Sequence, residues 1–323
     1  MKAVWIPPTP HLIRGDVEKW AQSQGVGCER IPGYWFEKKG LDIPTSAPPR
    51  PGEKIIYSFH GGAFIKHSAH PDDLIASLRH GVLEHTQLIE RLFNLEFRTA
   101  RKVDGKSINP FPAQLLDAIA GYNYLVNDVG FAPEDIVLLG DSAGGNLALM
   151  LTRYLVERRA AGDTDLPGIP SAIVLCSPWV DVAERTYGPE SSALLNMHSD
   201  YMSLISPDFA RTTSTFLGRM GETGARANRY LSPASVCPEM GSVSFEGFPR
   251  TLIVSGGAET LQDQIHILRQ KMVADLGEDK VELVEFPDAI HDFFVFTWHE
   301  PERTQALKGI AAWLESRKVT QEA

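Results

Sequence analysis

The sequence is poor in cysteine, and its three cysteines offer little chemistry. Cys28, Cys176 and Cys237 are far apart in a chain of 323 residues, and their number is odd. No Cys-x-x-Cys pair occurs, so a common spacing of metal ligands is missing. Cys176 follows the apolar residues 172–175 and is expected to be a small, buried side chain. We therefore expect no metal site.

Long apolar runs and an excess of positive charge are also missing. No stretch reaches the roughly 18 apolar residues that a membrane-spanning helix needs. Residues 1–10 hold no apolar run long enough for a signal peptide. The net charge is -10, and an acidic protein repels phosphate backbones, which argues against a nucleic-acid partner. We expect a cytoplasmic protein without a membrane span.

The sequence does contain alternating strand-like and helix-like segments, which begin after a proline-rich stretch at residues 43–52. The strand-like segments are residues 54–59, 91–97, 135–140, 171–176, 251–255 and 280–286. The helix-like segments are residues 72–85, 112–127, 143–159, a stretch ending near 276, and 302–317. Near-continuous apolar strands alternating with helices predict an α/β fold with a mostly parallel central sheet and helices on both faces.

Residues 182–248 interrupt this alternation. They are rich in glycine, serine and proline and show no clear strand. An insertion of this length between two sheet strands is usually a cap or lid over a functional site. A poorly ordered surface loop is the alternative.

One motif carries a candidate nucleophile. The sequence Gly-Asp-Ser-Ala-Gly-Gly at residues 140–145 lies between a predicted strand and a predicted helix. A G-x-S-x-G motif in this strand–turn–helix setting is typical of a nucleophile elbow, in which a tight turn exposes the serine hydroxyl. The following helix would point its N-terminus at Ser142, which favours negative charge developing there. Ser142 is therefore the candidate nucleophile.

A second glycine-containing motif is His-Gly-Gly-Ala at residues 60–63, directly after the first strand of the alternating region. Backbone amides at the end of a strand can bind a substrate oxygen that becomes negative during reaction. The amides of Gly61, Gly62 and Ala63, with that of Ala143, are the candidate oxyanion hole. An ordinary glycine turn is the alternative.

A reactive serine needs a general base, and the base needs an acid that orients it. The chain order in the fold that carries such an elbow is nucleophile, acid, histidine. The histidines after Ser142 are His198, His266, His291 and His299. His291 follows a predicted strand, at the sheet edge where α/β folds place their chemistry. It is the candidate base.

The acid is expected after the strand at residues 251–255. Glu259 and Asp263 both lie there. Glu259 is closer to the strand end, whereas Asp263 is one helical turn further along. We favour Glu259, with Asp263 as the alternative.

These motifs resemble those of the hormone-sensitive-lipase-like esterases, a branch of the α/β hydrolases. The matching residues are His60-Gly61-Gly62, Phe111-Pro112-Ala113-Gln114, Asp117-Ala118, Gly140 to Asn146, Ser177-Pro178-Trp179, Asp181, the stretch Glu259 to Asp263, and His291. The resemblance covers about residues 54–318. It implies hydrolysis of small or short-acyl carboxylic esters, such as acetyl esters, through an acyl-enzyme and without a cofactor.

The resemblance also implies a division of the chain. Residues 1–50 would contribute to the cap, residues 51–181 and 249–323 would form the hydrolase core, and residues 182–248 would be the cap insertion. Apolar residues of the insertion could wall a substrate pocket or pack within the cap itself. These candidates are Met197, Tyr201, Met202, Leu204 and Ile205.

The sequence departs from the family pattern in three places. Ala63 replaces the third glycine of H-G-G-G, Glu259 replaces the usual aspartate, and Glu96 begins the motif that usually reads D-Y-R. Formamidase, lactonase and acyltransferase chemistry on the same triad stay open, as does a non-catalytic small-molecule receptor. The sequence does not determine the oligomeric state, for which a homodimer is one option.

Overall fold

A computed structural model describes residues 2–183 and 188–316. The strands within these ranges are β1 (Lys2–Ile6), β2 (Ile31–Glu37), β3 (Lys54–Phe59), β4 (Ile89–Leu95), β5 (Arg101–Val103), β6 (Lys106–Ile108), β7 (Ile136–Asp141), β8 (Ala172–Cys176), β9 (Arg250–Gly256) and β10 (Val281–Phe286). The α-helices are α1 (Gly15–Gln24), α2 (Ala76–His85), α3 (Ala113–Asn123), α4 (Ala143–Ala160), α5 (Ser192–Leu195), α6 (Pro207–Leu217), α7 (Gly221–Arg226), α8 (Gln262–Leu276) and α9 (Glu302–Glu315).

One large sheet organises these elements. Its eight strands lie in the order β1-β2-β4-β3-β7-β8-β9-β10, and β5 pairs with β6 in a separate hairpin. The pairs from β4 onward in this order are parallel, whereas β1–β2 and β2–β4 are antiparallel. The central strands β3, β7, β8 and β9 are almost wholly buried. This confirms the predicted α/β-hydrolase architecture with a mostly parallel sheet.

Alternate residues of each central strand serve different layers of the core. Ile55 of β3 belongs to the apolar cluster that includes α3, α4 and α8, and its neighbour Ile56 belongs to the cluster that includes α2 and α9. Leu138 and Leu139 of β7 divide between the same two clusters. Successive strand residues point to opposite faces, so apolar residues at every position require helices on both sides. This explains the near-continuous apolar runs in the sequence.

The parallel strands bring five loops to one edge of the sheet. The carboxyl ends of β3, β7, β8, β9 and β10 lie side by side in the sheet order. The loops that leave these ends start at residues 60, 142, 177, 257 and 287. Chemistry in open α/β sheets is placed outside the carboxyl ends of the strands. The candidate site residues are therefore neighbours in space although they are distant in sequence.

Residues 1–50, which were predicted to contribute to the cap, divide between the central sheet and a helix. Strands β1 and β2 belong to the central sheet, with β2 paired along β4. Aromatic residues in β2, such as Trp35 and Phe36, are buried against the core. Helix α1 does contact the predicted insertion, since Gln24 Nε2 donates a 2.7 Å hydrogen bond to the carbonyl of Leu217. The helical part of this segment therefore touches the proposed cap.

The predicted insertion at residues 182–248 contains α5, α6 and α7 in its described part, and no strand. Residues 184–187 of this segment and residues 317–323 of the predicted core lie outside the described ranges. The insertion packs on the strand-end loops through aromatic contacts. Phe216 of α6 stacks on Phe64 with ring centroids 4.1 Å apart, and Phe209 meets Trp179 edge-on.

Candidate active site

The turn between β7 and α4 holds Ser142 in a strained backbone conformation. Its φ is 50° and its ψ is −117°, a combination of backbone angles that residues other than glycine rarely adopt. The flanking glycines make this turn possible. A Cβ on Gly140 would lie 2.2 Å from the carbonyl oxygen of Gly144, and one on Gly144 would lie 2.1 Å from that of Phe59. The tight turn places the hydroxyl of Ser142 on the wall of a cavity.

Three side chains from three loops form one hydrogen-bonded chain. The Oγ of Ser142 lies 3.0 Å from Nε2 of His291. The Nδ1 of His291 lies 2.9 Å from Oε2 of Glu259. All three side chains are buried. The histidine is thus fixed at both ring nitrogens, with one nitrogen facing the serine and the other facing a carboxylate.

Glu259, and not Asp263, faces the imidazole. The second oxygen of Glu259, Oε1, accepts hydrogen bonds from the amide of Gly256 at 2.8 Å and from Oγ of Ser177 at 3.0 Å. Burial raises the pKa of Glu259, while its hydrogen bond to His291 opposes that rise. Asp263 instead accepts a 2.8 Å hydrogen bond from the amide of Ser192 in α5. Asp263 therefore ties the insertion to α8.

The candidate oxyanion amides differ in whether they already donate a hydrogen bond within the described chain. Within the described chain, the amides of Gly62, Ala63 and Ala143 donate no hydrogen bond. Gly62 and Ala63 line the same cavity as Ser142. The amide of Gly61 differs from the prediction, because it donates a 2.9 Å hydrogen bond to Oδ2 of Asp141. Gly61 therefore supports the loop and has no amide to offer a substrate.

The loop after β3 needs a left-handed backbone. Gly62, Ala63 and Phe64 have φ values of 104°, 52° and 62°. A Cβ on Gly62 would lie 2.3 Å from the carbonyl oxygen of Lys66. The ring of His60, at the start of this loop, stacks on the ring of Phe97 with centroids 4.2 Å apart. Burial lowers the pKa of His60 to about 3, so the ring is neutral and acts in packing.

Residues 105–295 match a family model described as the α/β hydrolase fold. That match spans more than half of the chain. The chain belongs to the α/β-hydrolase fold family.

Similar curated and solved α/β hydrolases agree with the predicted resemblance to hormone-sensitive-lipase-like esterases. Esterase LipU of Mycobacterium tuberculosis is 28% identical over 263 residues, which cover 81% of this chain and 77% of that protein. An acetyl-hydrolase of Streptomyces hygroscopicus is 29% identical over 211 residues, covering 64% of this chain and 61% of that protein. A hormone-sensitive lipase from a metagenome library superposes with a TM-score of 0.64 at 25% identity, covering 88% of this chain and 81% of that one.

Two neighbouring cavities open beside Ser142 of this α/β hydrolase. The inner cavity, of about 270 Å³, contains Ser142 and His291 in its wall. The outer cavity, of about 540 Å³, is mostly apolar and includes Phe296 and Trp298. The residues that line both cavities are His67, Ile75, Tyr201 and Asp292. The two cavities are therefore adjacent and have one wall in common.

The five pocket candidates from the insertion have different locations. Tyr201 lines both cavities, and Met202 lines the inner one. Met197, Leu204 and Ile205 line neither of these cavities. Leu204 is buried, whereas Ile205 is exposed. The outer cavity instead takes much of its aromatic lining from the loop after His291, which the pocket prediction did not include.

Two polar residues beside the histidine were not predicted as parts of the site. Ser177 bonds Glu259, and Oδ2 of Asp292 lies 3.3 Å from Nε2 of His291. Ser177 stands directly after β8, and its position at the sheet edge could have indicated a role in the site.

The described residues contain no cluster of three or more histidine, cysteine or acidic side chains placed to hold a metal. None of the described helices is long and apolar enough to cross a membrane.

Proposed function

We propose that this α/β hydrolase is a serine carboxylic-ester hydrolase in which Ser142 is the nucleophile, His291 the general base and Glu259 the orienting acid. The observation that carries the proposal is the continuous hydrogen-bonded chain from Ser142 Oγ through His291 to Glu259 Oε2. Such a chain activates a serine hydroxyl, which is a weak nucleophile on its own. Curated relatives named esterase and acetyl-hydrolase support the same reaction class.

The reaction follows from the positions of these groups. Oγ of Ser142 attacks the ester carbonyl while Nε2 of His291 takes the hydroxyl proton. The free amides of Gly62, Ala63 and Ala143 donate to the carbonyl oxygen as it becomes negative. Nε2 then returns the proton to the leaving alcohol, and an acyl-enzyme stays on Ser142. Water, deprotonated by the same nitrogen, releases the acid and restores the serine.

The two cavities suggest where the two parts of an ester bind. The inner cavity of about 270 Å³ lies below the roughly 300–1,000 Å³ of pockets that hold drug-sized ligands. It therefore suits a short group such as acetyl. The outer cavity is twice as large and has an aromatic lining from Tyr201, Phe296 and Trp298. We propose that it receives the larger, apolar group of the ester.

A chromogenic assay tests this function. We expect the purified protein to release p-nitrophenol from p-nitrophenyl acetate, with kcat/KM falling as the acyl chain lengthens from acetyl to octanoyl. Ser142→Ala is expected to lower kcat on the order of 10⁶-fold, the scale seen when a triad serine is removed in another enzyme. Residual activity of more than a few per cent in the pure variant would rule out Ser142 as the nucleophile.

A further inference from the structure

Asp292 holds a second carboxyl group against the imidazole of His291. Its backbone adopts φ 51° and ψ 32°, a left-handed turn that brings its side chain back toward the preceding residue. Oδ2 of Asp292 lies 3.3 Å from Nε2 of His291, the same nitrogen that lies 3.0 Å from Ser142 Oγ. The residue is buried, and its other oxygen, Oδ1, has no hydrogen-bond partner among the described residues.

The Glu259 carboxylate determines which nitrogen of the His291 imidazole carries a proton. Oε1 of Glu259 accepts hydrogen bonds from Gly256 and Ser177, and Oε2 faces Nδ1 of His291. A carboxylate that accepts three such contacts is ionised, so Nδ1 carries a proton. In a neutral imidazole Nε2 is then a lone-pair acceptor. Oδ2 of Asp292 lies 3.3 Å from this nitrogen, within ion-pair distance, and a carboxylate there favours the protonated, positively charged imidazole.

We propose that Asp292 is a positioning residue whose carboxylate forms a buried ion pair with the imidazolium of His291 in the resting protein, and that Nε2 must lose its proton before His291 can accept the proton of Ser142. The proposal rests on the serine-hydrolase function proposed above. When the proton on Nε2 goes to solvent, this nitrogen regains its lone pair and can take the proton of Ser142. As Oγ bonds to the substrate carbonyl, that second proton makes an imidazolium, which the Asp292 carboxylate stabilises.

The acidic neighbours of the pair raise the pKa of both residues, whereas Arg79 lowers the pKa of Asp292. Burial lowers the pKa of His291, but Asp292, Glu259 and Asp200 outweigh burial and raise that pKa to about 10. Burial also raises the pKa of Asp292 well above its usual range. His291 opposes this rise, and Asp141 and Glu259 add to it.

Two of these neighbours are already engaged elsewhere. Asp141 is paired with buried Arg79 at 2.5 Å. Asp200 of the insertion accepts hydrogen bonds from the amide and hydroxyl of Thr260. The thiol of Cys176, whose pKa burial raises well above its usual range, is neutral and adds no charge. Asp292 is therefore the neighbour whose charge acts directly on Nε2.

The test compares Asp292→Asn with the wild-type protein. Asparagine keeps the shape, removes the charge and tolerates a left-handed backbone. Asp292→Gly, which also suits this φ, repeats the test if the first variant folds poorly. The matched control is Asp263→Asn, which makes the same change at a carboxylate bound to Ser192 instead of the imidazole. The protonation midpoint of His291 is read from ¹⁵N-labelled histidine by NMR, and the acid limb of kcat/KM from p-nitrophenyl acetate hydrolysis.

We expect the His291 midpoint in Asp292→Asn to fall by about one pH unit or more, because an opposite charge at this distance shifts a pKa by roughly 1–3 units. The acid limb of kcat/KM should move to lower pH by the same amount, while the plateau at high pH falls. The Asp263→Asn control should leave the protonation midpoint of His291 and the acid limb of kcat/KM unchanged. An unchanged His291 midpoint in Asp292→Asn would overturn the proposal, even with a lower plateau. Because NMR reads the proton without turnover, a protein that hydrolyses no ester refutes the proposed function separately.

Discussion

The Oγ of Ser177 donates a 3.0 Å hydrogen bond to Oε1 of Glu259, the oxygen that does not face His291. Ser177 follows β8 with φ 42°, so the loop after this strand presents a hydroxyl to the loop after β9. The same Oγ also accepts a 3.3 Å hydrogen bond from the amide of Asp292. One serine therefore links the loops that carry Glu259 and His291.

Removing the Ser177 hydroxyl should weaken the positioning of the Glu259 carboxylate but not abolish it. A hydrogen bond to a charged group is worth about 1.5–3 kcal/mol, and part of this should be lost from the transition state. We expect Ser177→Ala to lower kcat by roughly 3- to 30-fold, since Glu259 keeps the amide of Gly256 as a donor. The measurement is kcat for p-nitrophenyl acetate.

Ser255→Ala is the matched control for this change. Ser255 is also buried, at the end of β9, but its hydroxyl has no hydrogen-bond partner among the described residues. We expect no loss of kcat in this variant. Equal effects of the two substitutions would show that the Ser177 hydroxyl does not act through Glu259.

The two carboxylates after β9 should differ sharply in their effect on turnover. Glu259→Gln places a neutral amide beside Nδ1 of His291, which cannot stabilise the imidazolium, and a loss near 10⁴-fold in kcat is the scale for such a change in another triad. Asp263→Asn should change kcat by less than about threefold, because Asp263 bonds Ser192 of the insertion. Steady-state kinetics on both variants decides the matter. A larger loss for Asp263→Asn would contradict the assignment.

The outer cavity predicts which esters are preferred. Trp298 is 68% exposed and lines this cavity beside Phe296. Trp298→Ala should lower kcat/KM for 2-naphthyl acetate by about 10-fold, since a lost aromatic contact is worth on the order of 1.4 kcal/mol. It should leave ethyl acetate unaffected, because that ester does not reach the cavity.

Trp5→Ala provides a matched control, as Trp5 is 58% exposed and lies in edge strand β1. This control should affect neither ester. A uniform loss on both esters in Trp298→Ala would mean that the tryptophan supports the loop instead of the substrate.

Replacing Ala63 with glycine should be tolerated. Its φ of 52° costs an alanine about 1–2 kcal/mol relative to glycine, partly offset by the roughly 0.5–1 kcal/mol that glycine loses on folding. Ala63→Gly keeps the free amide and should retain wild-type kcat, with unfolding free energy equal to or up to about 1.5 kcal/mol above wild type. Urea unfolding and kcat measure both outcomes. A large fall in kcat would show that the methyl group itself shapes the site.

The sequence predicted the features that depend on local pattern. The elbow at Ser142 could be located because its glycines and flanking elements are contiguous, and His291 and Glu259 because each follows a strand. The contacts that were missed join distant segments. The bond from Gly61 to Asp141 spans 80 residues, and no local rule shows that this amide is already used.

The N-terminal strands were missed for a related reason. Strand β2 contains Pro32 and Gly33, which weaken any strand pattern, and its partner β4 begins more than 50 residues later. Pairing with β4 decides its conformation. Asp292 also escaped notice, because only the left-handed turn at that residue brings its carboxyl back to the imidazole.

The central claim is that Ser142 is the nucleophile that His291 activates, and covalent labelling tests it most directly. A fluorophosphonate should add once to the wild-type protein, and peptide mass spectrometry should locate the adduct on Ser142. Ser142→Ala should take up no label, and His291→Ala should be labelled at least about 10³-fold more slowly, since the triad acts as a unit. Labelling of Ser142→Ala at the wild-type rate, or an adduct on another residue of the wild-type protein, would contradict the account.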